Sequence, residues 1–195
     1  MIDSRQQLVQ YYHWLRQYGL NDSHSGNASV RNGDTFWVTP TGACADTLDP
    51  GQLVSCGIED GHGGARASLD APLHAAVYRN NRKARAVLHS HGPHSVALTL
   101  DGQPFTPIDF EGGFYFTQVP VIDIPYDQYV ERAPELVAAA LADHPIAIVR
   151  GHGVYAQAES LDRAYKWTCS LELSARTAFI ARLAGVIDPL TPPSP

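Results

Sequence analysis

The residues best placed to do chemistry are histidines. His89-Ser90-His91 closes an apolar run that extends from Ala84 to Leu88. On a strand, side chains two apart share a face, so these two imidazoles converge. A divalent transition metal takes neutral imidazole nitrogens at ~2.0–2.1 Å, and an H-x-H on a strand supplies two of them. The competing reading is a pair of polar residues facing water where a strand ends. His152, in Arg150-Gly151-His152-Gly153, follows a second apolar strand, Ile146 to Val149. Flanking glycines let the backbone bring one side chain close to a site, although a plain turn histidine fits the same pattern. Together His89, His91 and His152 would make a three-imidazole site with an open position, the arrangement of catalytic rather than structural metals. His74 lies four residues after Asp70, on the same helical face, as a ligand or as a partner of one. His94 reads equally well as a surface residue, and the remaining histidines carry no grouping.

Two small-residue turns could serve an anionic group. Ser25-Gly26-Asn27-Ala28-Ser29 and Thr39-Pro40-Thr41-Gly42 can both present backbone N–H groups and hydroxyls, the logic of phosphate-binding nests. Neither matches a P-loop or a dinucleotide fingerprint, and ordinary loops share their composition.

The elements that must position these residues are legible in outline. Ser4 to Tyr18 has helical spacing of Leu8, Tyr11, Tyr12, Leu15 and Tyr18. Asn27 to Arg31 and Thr35 to Val38 flank Asn32-Gly33 as a hairpin, and Leu53 to Ile58 is a further strand. Asp70 to Asn80 reads as a helix with Asp70 as its cap, Ala84 to His91 as a buried strand, and Ser95 to Leu100 as a short helix. Val119 to Ile124 is a strand, Pro134 to Ala142 a helix, and Ile146 to Arg150 a strand that Val154 to Ala156 continues. Ser160 to Ala184 is a long helix, and the proline-rich stretch 188–195 reads as an unstructured tail. The result is a single domain over 1–187. By pattern alone it is α/β with a leaning towards a parallel sheet.

Composition narrows the function classes. The chain has 195 residues, 14 basic and 20 acidic, for a net charge of −6, with no Lys/Arg cluster, so nucleic acid is not an expected partner. No apolar run approaches the ~18 residues needed to cross a bilayer. The first residues lack the layout of a secretory signal. Cys44, Cys56 and Cys169 are odd in number and widely spaced, as expected of reduced thiols in a cytoplasmic protein.

The motifs, in their order, resemble those of the class II aldolase/adducin superfamily, which includes fuculose-1-phosphate aldolase and ribulose-5-phosphate 4-epimerase. The resemblance rests on Ser25-Gly26-Asn27-Ala28-Ser29-Val30, Thr39-Pro40-Thr41-Gly42, Asp70-x-x-x-His74, His89-Ser90-His91 and Gly151-His152-Gly153, and spans about residues 5 to 184. It implies a three-layer α/β/α fold with a central, mostly antiparallel sheet, in place of the parallel one. It also implies a homotetramer with active sites shared between subunits. Zn²⁺ would be held by His89, His91 and His152, with Mn²⁺, Co²⁺ or Fe²⁺ as compatible alternatives. Asp70 would be the carboxylate beside it, where relatives usually carry Glu. Tyr129 matches a proton-donating tyrosine that comes from the neighbouring subunit. Phosphate would be bound by Gly26, Asn27, Thr41, Gly42 and Ser68. A Ser-Ser pair of the family is Ser68-Leu69 here, and Glu111-Gly112-Gly113-Phe114-Tyr115 has no Asp where the epimerase carries one. The implied activity is a metal-dependent aldolase that cleaves a C–C bond of a small hydroxyketone, such as a sugar phosphate, through a stabilised enediolate. A 4-epimerase, a keto-acid decarboxylase and a non-enzymatic adducin-like scaffold are the alternatives.

Overall fold

The computed structural model describes residues 3–186, so the proline-rich stretch 188–195 lies outside the described residues. Helix α1 (Ser4–Gln17) leads into the hairpin β1 (Asn27–Asn32) and β2 (Thr35–Val38), followed by β3 (Val54–Gly57). Helix α2 (Ala71–Asn80) precedes β4 (Ala86–Ser90) and two short helices, α3 (Pro93–Ala97) and α4 (Phe110–Tyr115). Then come β5 (Val121–Ile122), α5 (Tyr129–Asp143), β6 (Ile146–Val149), β7 (Gly153–Ala158) and α6 (Leu161–Leu183).

The seven strands form one sheet in the order β3-β2-β1-β4-β7-β6-β5. Every neighbouring pair is antiparallel except β5 with β6. The leaning towards a parallel sheet is therefore corrected, and the antiparallel alternative holds. The decisive feature is the connection between β6 and β7. Val149 pairs with Gly153 across a turn of three residues, and a link that short can only make a hairpin, whereas parallel neighbours need a crossover of a dozen residues or more. Val154 to Ala156 is thus the return strand and not a continuation of β6.

Two other boundaries move for reasons involving proline. Only Val121–Ile122 of the expected 119–124 strand is in the sheet. Pro120 has no N–H to give the ladder, and Val119 pairs instead with Phe105. Helix α5 begins at Tyr129 and carries Pro134 inside it, although proline favours a first turn; its missing N–H leaves the helix one ladder bond short. The five residues gained place Tyr129 at the head of the helix. The expected Ser95 to Leu100 helix lies slightly earlier, at Pro93–Ala97, and α4 had no counterpart in the sequence reading.

Helices α2 and α5 cover one face of the sheet, burying Leu73, Val77, Val137 and Leu141 against Phe36, Val87, Ala147 and Tyr155. Helices α1 and α6 cover the other through Leu8, Tyr12, Leu15, Leu161 and Ala164 over Ala28, Val30 and Leu88. Polar side chains run through the α2 side. On β1, alternate residues Asn27, Ser29 and Arg31 face α2, which offers Asp70, His74 and Tyr78 at helical spacing from just before its first turn. Asn27 donates to Asp70 at 2.8 Å, Ser29 Oγ contacts His74 Nδ1 at 2.6 Å and Tyr78 Oη at 2.7 Å, and Arg31 donates to the Tyr78 carbonyl at 3.2 Å. This ladder connects the two ends of the sheet.

Candidate active site

The site forms where one register row crosses three strands. Asn27 on β1 pairs with His89 on β4, and His89 pairs with Tyr155 on β7. Pairing across neighbouring strands puts all three side chains on one face, and the His89 and Tyr155 rings stack with centroids 4.0 Å apart and an interplanar angle of 1°. His91 lies just past β4 and His152 in the β6–β7 turn. The ligand atoms of His89, His91 and His152 all lie within 4.8 Å of one another. Nε2 of His89 is 2.9 Å from Nε2 of His91 and 3.3 Å from Nε2 of His152. Gly153 makes this approach possible, because a Cβ there would sit 2.5 Å from the Ser90 carbonyl and 2.7 Å from His89 Cε1. The backbone of the H-x-H is fixed from outside the strand: Asn21 accepts from the His91 N–H at 3.0 Å.

The donor chemistry fits a divalent cation. His89 Nδ1 lies 3.1 Å from the Val154 carbonyl, which assigns the ring proton to Nδ1 and turns the Nε2 lone pair inward, as ligating histidines are held in metal sites. Burial pushes the pKa of all three imidazoles below the usual histidine range, to about 4 for His91. They are therefore neutral near pH 7, the form that binds metal.

Asp70 faces the same space. The sequence reading offered two roles for it, and its side chain makes no cap hydrogen bond to α2. Its carboxylate instead accepts from Asn27 Nδ2 and Tyr155 Oη, each at 2.8 Å, and from Tyr129 Oη at 2.9 Å. Burial pushes its pKa up, but the interactions with His89, Asn27, His74 and Tyr155 together outweigh it, and the net direction is down. The Tyr129 and Tyr155 hydroxyls also contact each other. Burial, reinforced by the Asp70 charge, raises the pKa of both phenols, so both stay protonated. Tyr129, expected to serve a neighbouring chain, thus reaches the Asp70 of its own chain, and its ring lies 4.6 Å from that of His152.

The residues expected to hold phosphate divide into two groups. A bridge between Pro40 and Ala67, with Thr41 N–H bonded to the Arg66 carbonyl at 2.9 Å, brings the exposed Thr41–Gly42 turn beside the Ser68 segment. Ser68 is buried, and its hydroxyl accepts from the Asp70 N–H at 3.2 Å. Asn27 belongs to Asp70 instead. Gly26 takes φ +68°, a left-handed conformation that sets the entry to β1 against the His89 carbonyl. Leu69, in place of a hydroxyl residue, is 62% exposed. With Ile124, Tyr126, Tyr129 and Val130 it lines a cleft of about 630 Å³ that opens onto His91 and His152.

Sequence reasoning gave Ser29 only as a hydroxyl of the first small-residue turn, and it missed Tyr155, Asn21 and Glu172. The last reaches from α6 to accept from the His94 and Ser95 N–H groups at 2.9 and 3.0 Å, holding the start of α3 directly after His91. His94 is therefore tied down through Glu172, and His74 lies outside the imidazole cluster. A tyrosine on a buried strand needs a partner for its hydroxyl, and that was the one available signal for Tyr155.

This fold and site belong to a known family. The sequence matches the Class II Aldolase and Adducin N-terminal domain over residues 6–179, and the chain is a member of that family, whose class II aldolases depend on divalent metals. A 3-oxo-tetronate 4-phosphate decarboxylase of Cupriavidus necator is 37% identical over 141 residues, 70% of this chain; the match spans 63% of that protein, less than two thirds of its length. An L-fuculose phosphate aldolase of Escherichia coli O6:H1 is 29% identical over 185 residues, 90% of this chain and 81% of the relative. The crystal structure of L-fuculose-1-phosphate aldolase from Thermus thermophilus superposes with a TM-score of 0.85 at 32% identity, covering 94% of this chain and 97% of that one. Among the described residues, no helix is long and apolar enough to cross a membrane.

Proposed function

We propose that the chain is a metal-dependent lyase that breaks a C–C bond in a small hydroxyketone, with aldol cleavage of a sugar phosphate as the reaction. The observation that carries this reading is the placement of Asp70, which turns from its helix to Tyr129 and Tyr155, whose rings lie against His152 and His89. A divalent cation held by His89, His91 and His152, zinc in this reading, supplies Lewis-acid stabilisation of negative charge on substrate oxygens. Asp70 moves the proton at the carbon that carries the developing negative charge, its carboxylate oriented by Asn27 and Tyr155. Tyr129, a phenol that stays protonated, holds and exchanges the proton of the hydroxyl that becomes the aldehyde. Thr41, Gly42, Ser68 and Gly26 bind the anionic end of the substrate. The apolar wall of Leu69, Ile124 and Val130 excludes water from the reacting atoms.

Decarboxylation of a 3-oxo acid phosphate is the second reading, favoured by the 37% identity to a decarboxylase beside 29% to an aldolase. Both reactions leave negative charge next to a carbonyl and use the same machinery. Metal analysis followed by a screen of sugar phosphates and 3-oxo acid phosphates separates them, since aldol cleavage releases an aldehyde and decarboxylation releases CO₂. Failure of the metal-loaded protein to do either would overturn the lyase reading. We further propose a cytoplasmic homotetramer, supported by the exposed Phe110 and Phe114 of α4 (90% and 76%); sedimentation of a stable, fully active monomer would exclude that assembly.

A further inference from the structure

The far end of the β1–α2 ladder opens on a cavity of about 820 Å³, larger than the cleft at the histidines. Arg31, Arg79, Arg82 and Arg85 line it, with Asp34 and Glu59 as the acids in its wall. In a chain whose net charge is −6, this concentrates positive charge, because none of the four arginines makes an ion pair among the described residues. Two of the guanidiniums are held in place. Arg31 donates through Nε to Gly33 and through Nη1 to Tyr78, over whose ring it sits at 5.7 Å. Arg79 donates through Nη1 to the Ile58 and Glu59 carbonyls at 2.7 and 2.8 Å. The negative end of the α2 dipole lies here too, and Arg31 answers it at the Tyr78 carbonyl. Among the described residues, Nη2 of Arg31, Nε and Nη2 of Arg79, and the guanidinium nitrogens of Arg82 and Arg85 make no hydrogen bond, so these planar forks are available to oxyanion oxygens.

We propose that this cavity binds a small phosphate-bearing anion, independently of the histidine site. Four guanidiniums around one concave space suit a ligand with several clustered negative oxygens, such as a diphosphate group, better than a single carboxylate. The separation is structural: Arg31 is four residues beyond Asn27 on β1, about 13 Å along the strand. Guanidiniums held before the ligand arrives lose less conformational freedom on binding it.

Pyrophosphate is the probe, titrated calorimetrically into the purified protein at fixed ionic strength. Because pyrophosphate also chelates divalent cations, the same titration is made on the His152→Ala variant, which lacks one imidazole of the metal site. The expected result is a site whose affinity falls at least tenfold in Arg82→Ala/Arg85→Ala and is unchanged in His152→Ala, distinct from the anion site at Thr41 and Gly42, which the arginine changes leave intact. Both arginines are exposed, and their guanidiniums make no hydrogen bond among the described residues; the Arg85 backbone bonds to Arg31 and Ala158 do not depend on its side chain, so the double variant folds normally. Equal affinity in the double variant, loss of binding in His152→Ala, or a response reproduced by sodium chloride at equal ionic strength would each overturn the site.

Discussion

At the N-terminal end of α2, the Asp70 carboxylate receives hydrogen bonds from Asn27, Tyr129 and Tyr155. At the C-terminal end, Arg31 and Arg79 donate to backbone carbonyls, and among the described residues no carboxylate pairs with them. Both ends are built on the same two elements, and Ser29, His74 and Tyr78 run between them. The difference lies in compensation of charge. A buried carboxylate must have its oxygens satisfied by the protein, and those partners fix its direction and leave it ready to exchange a proton at a set position. Exposed guanidiniums keep their water and can exchange it for a ligand. In the readings proposed above, one end of the ladder serves a reaction step and the other binding.

The largest expected effect breaks the reactive end outright. His89→Ala, His91→Ala and His152→Ala proteins are each expected to contain well under one metal ion per chain by elemental analysis, with the deepest fall in turnover of any change considered. Full occupancy retained in all three would remove the triad. Next in size is Asp70→Asn. The amide oxygen can still accept from Asn27 and Tyr155, and its nitrogen can donate to the Tyr129 hydroxyl oxygen, so folding and metal content stay near normal. Turnover should fall ~10²-fold or more, the scale of one general acid–base group. Wild-type turnover would leave Asp70 with a structural role only.

Tyr155→Phe sharpens the comparison, because it removes one of the three donors and leaves the carboxylate in place. A partner that orients a reactive group through one hydrogen bond is worth ~10-fold or somewhat more. The expected fall is in kcat with little change in KM, and Tyr129→Phe should fall further because its hydroxyl meets the substrate. Equal losses in KM for both would place the two tyrosines in substrate binding instead.

The parts of the site that sequence revealed are those carried by local periodicity. His89 and His91 follow from the two-residue period of a strand and His152 from its flanking glycines, whereas the place of Asp70 before a helix gives only a cap and its role beside the metal comes from the family resemblance. Where the Asp70 side chain points was open, since a carboxylate at that position caps helices as readily as it serves a site. Tyr155 became visible only through the register of β4 against β7, a tertiary fact. Ser29 is a small residue whose importance depends on His74 and Tyr78 reaching it from another element. The β6–β7 hairpin reads from sequence as one continued strand because two apolar runs flank Gly151-His152-Gly153 and periodicity does not give the direction in which the second run leaves it. For Asp70, Tyr155 and Ser29 the missing information was a contact between distant segments.

The smallest effect tests the middle of the ladder. His74 is fully buried; burial drives its pKa down to about 4, and the Asp70 charge only partly opposes this. The unfolded value is near 6.5, so between pH 6.5 and about 4 the unfolded chain binds a proton that the folded chain refuses. Stability is therefore complete above pH 6.5 and declines as the pH falls through that window, by on the order of 3 kcal/mol from this residue. His89, His91 and His152 shift in the same direction, so the wild-type curve alone cannot isolate His74. His74→Gln can, because the amide still reaches Ser29 and does not titrate while the other three histidines remain. Denaturant unfolding from pH 7 to pH 4 should show a smaller loss of stability in the Gln variant. The difference between the two proteins should appear only below pH 6.5. Parallel curves would mean that His74 takes up its proton without opposing the fold, and that the ladder's centre is open to water in a way its neighbours are not.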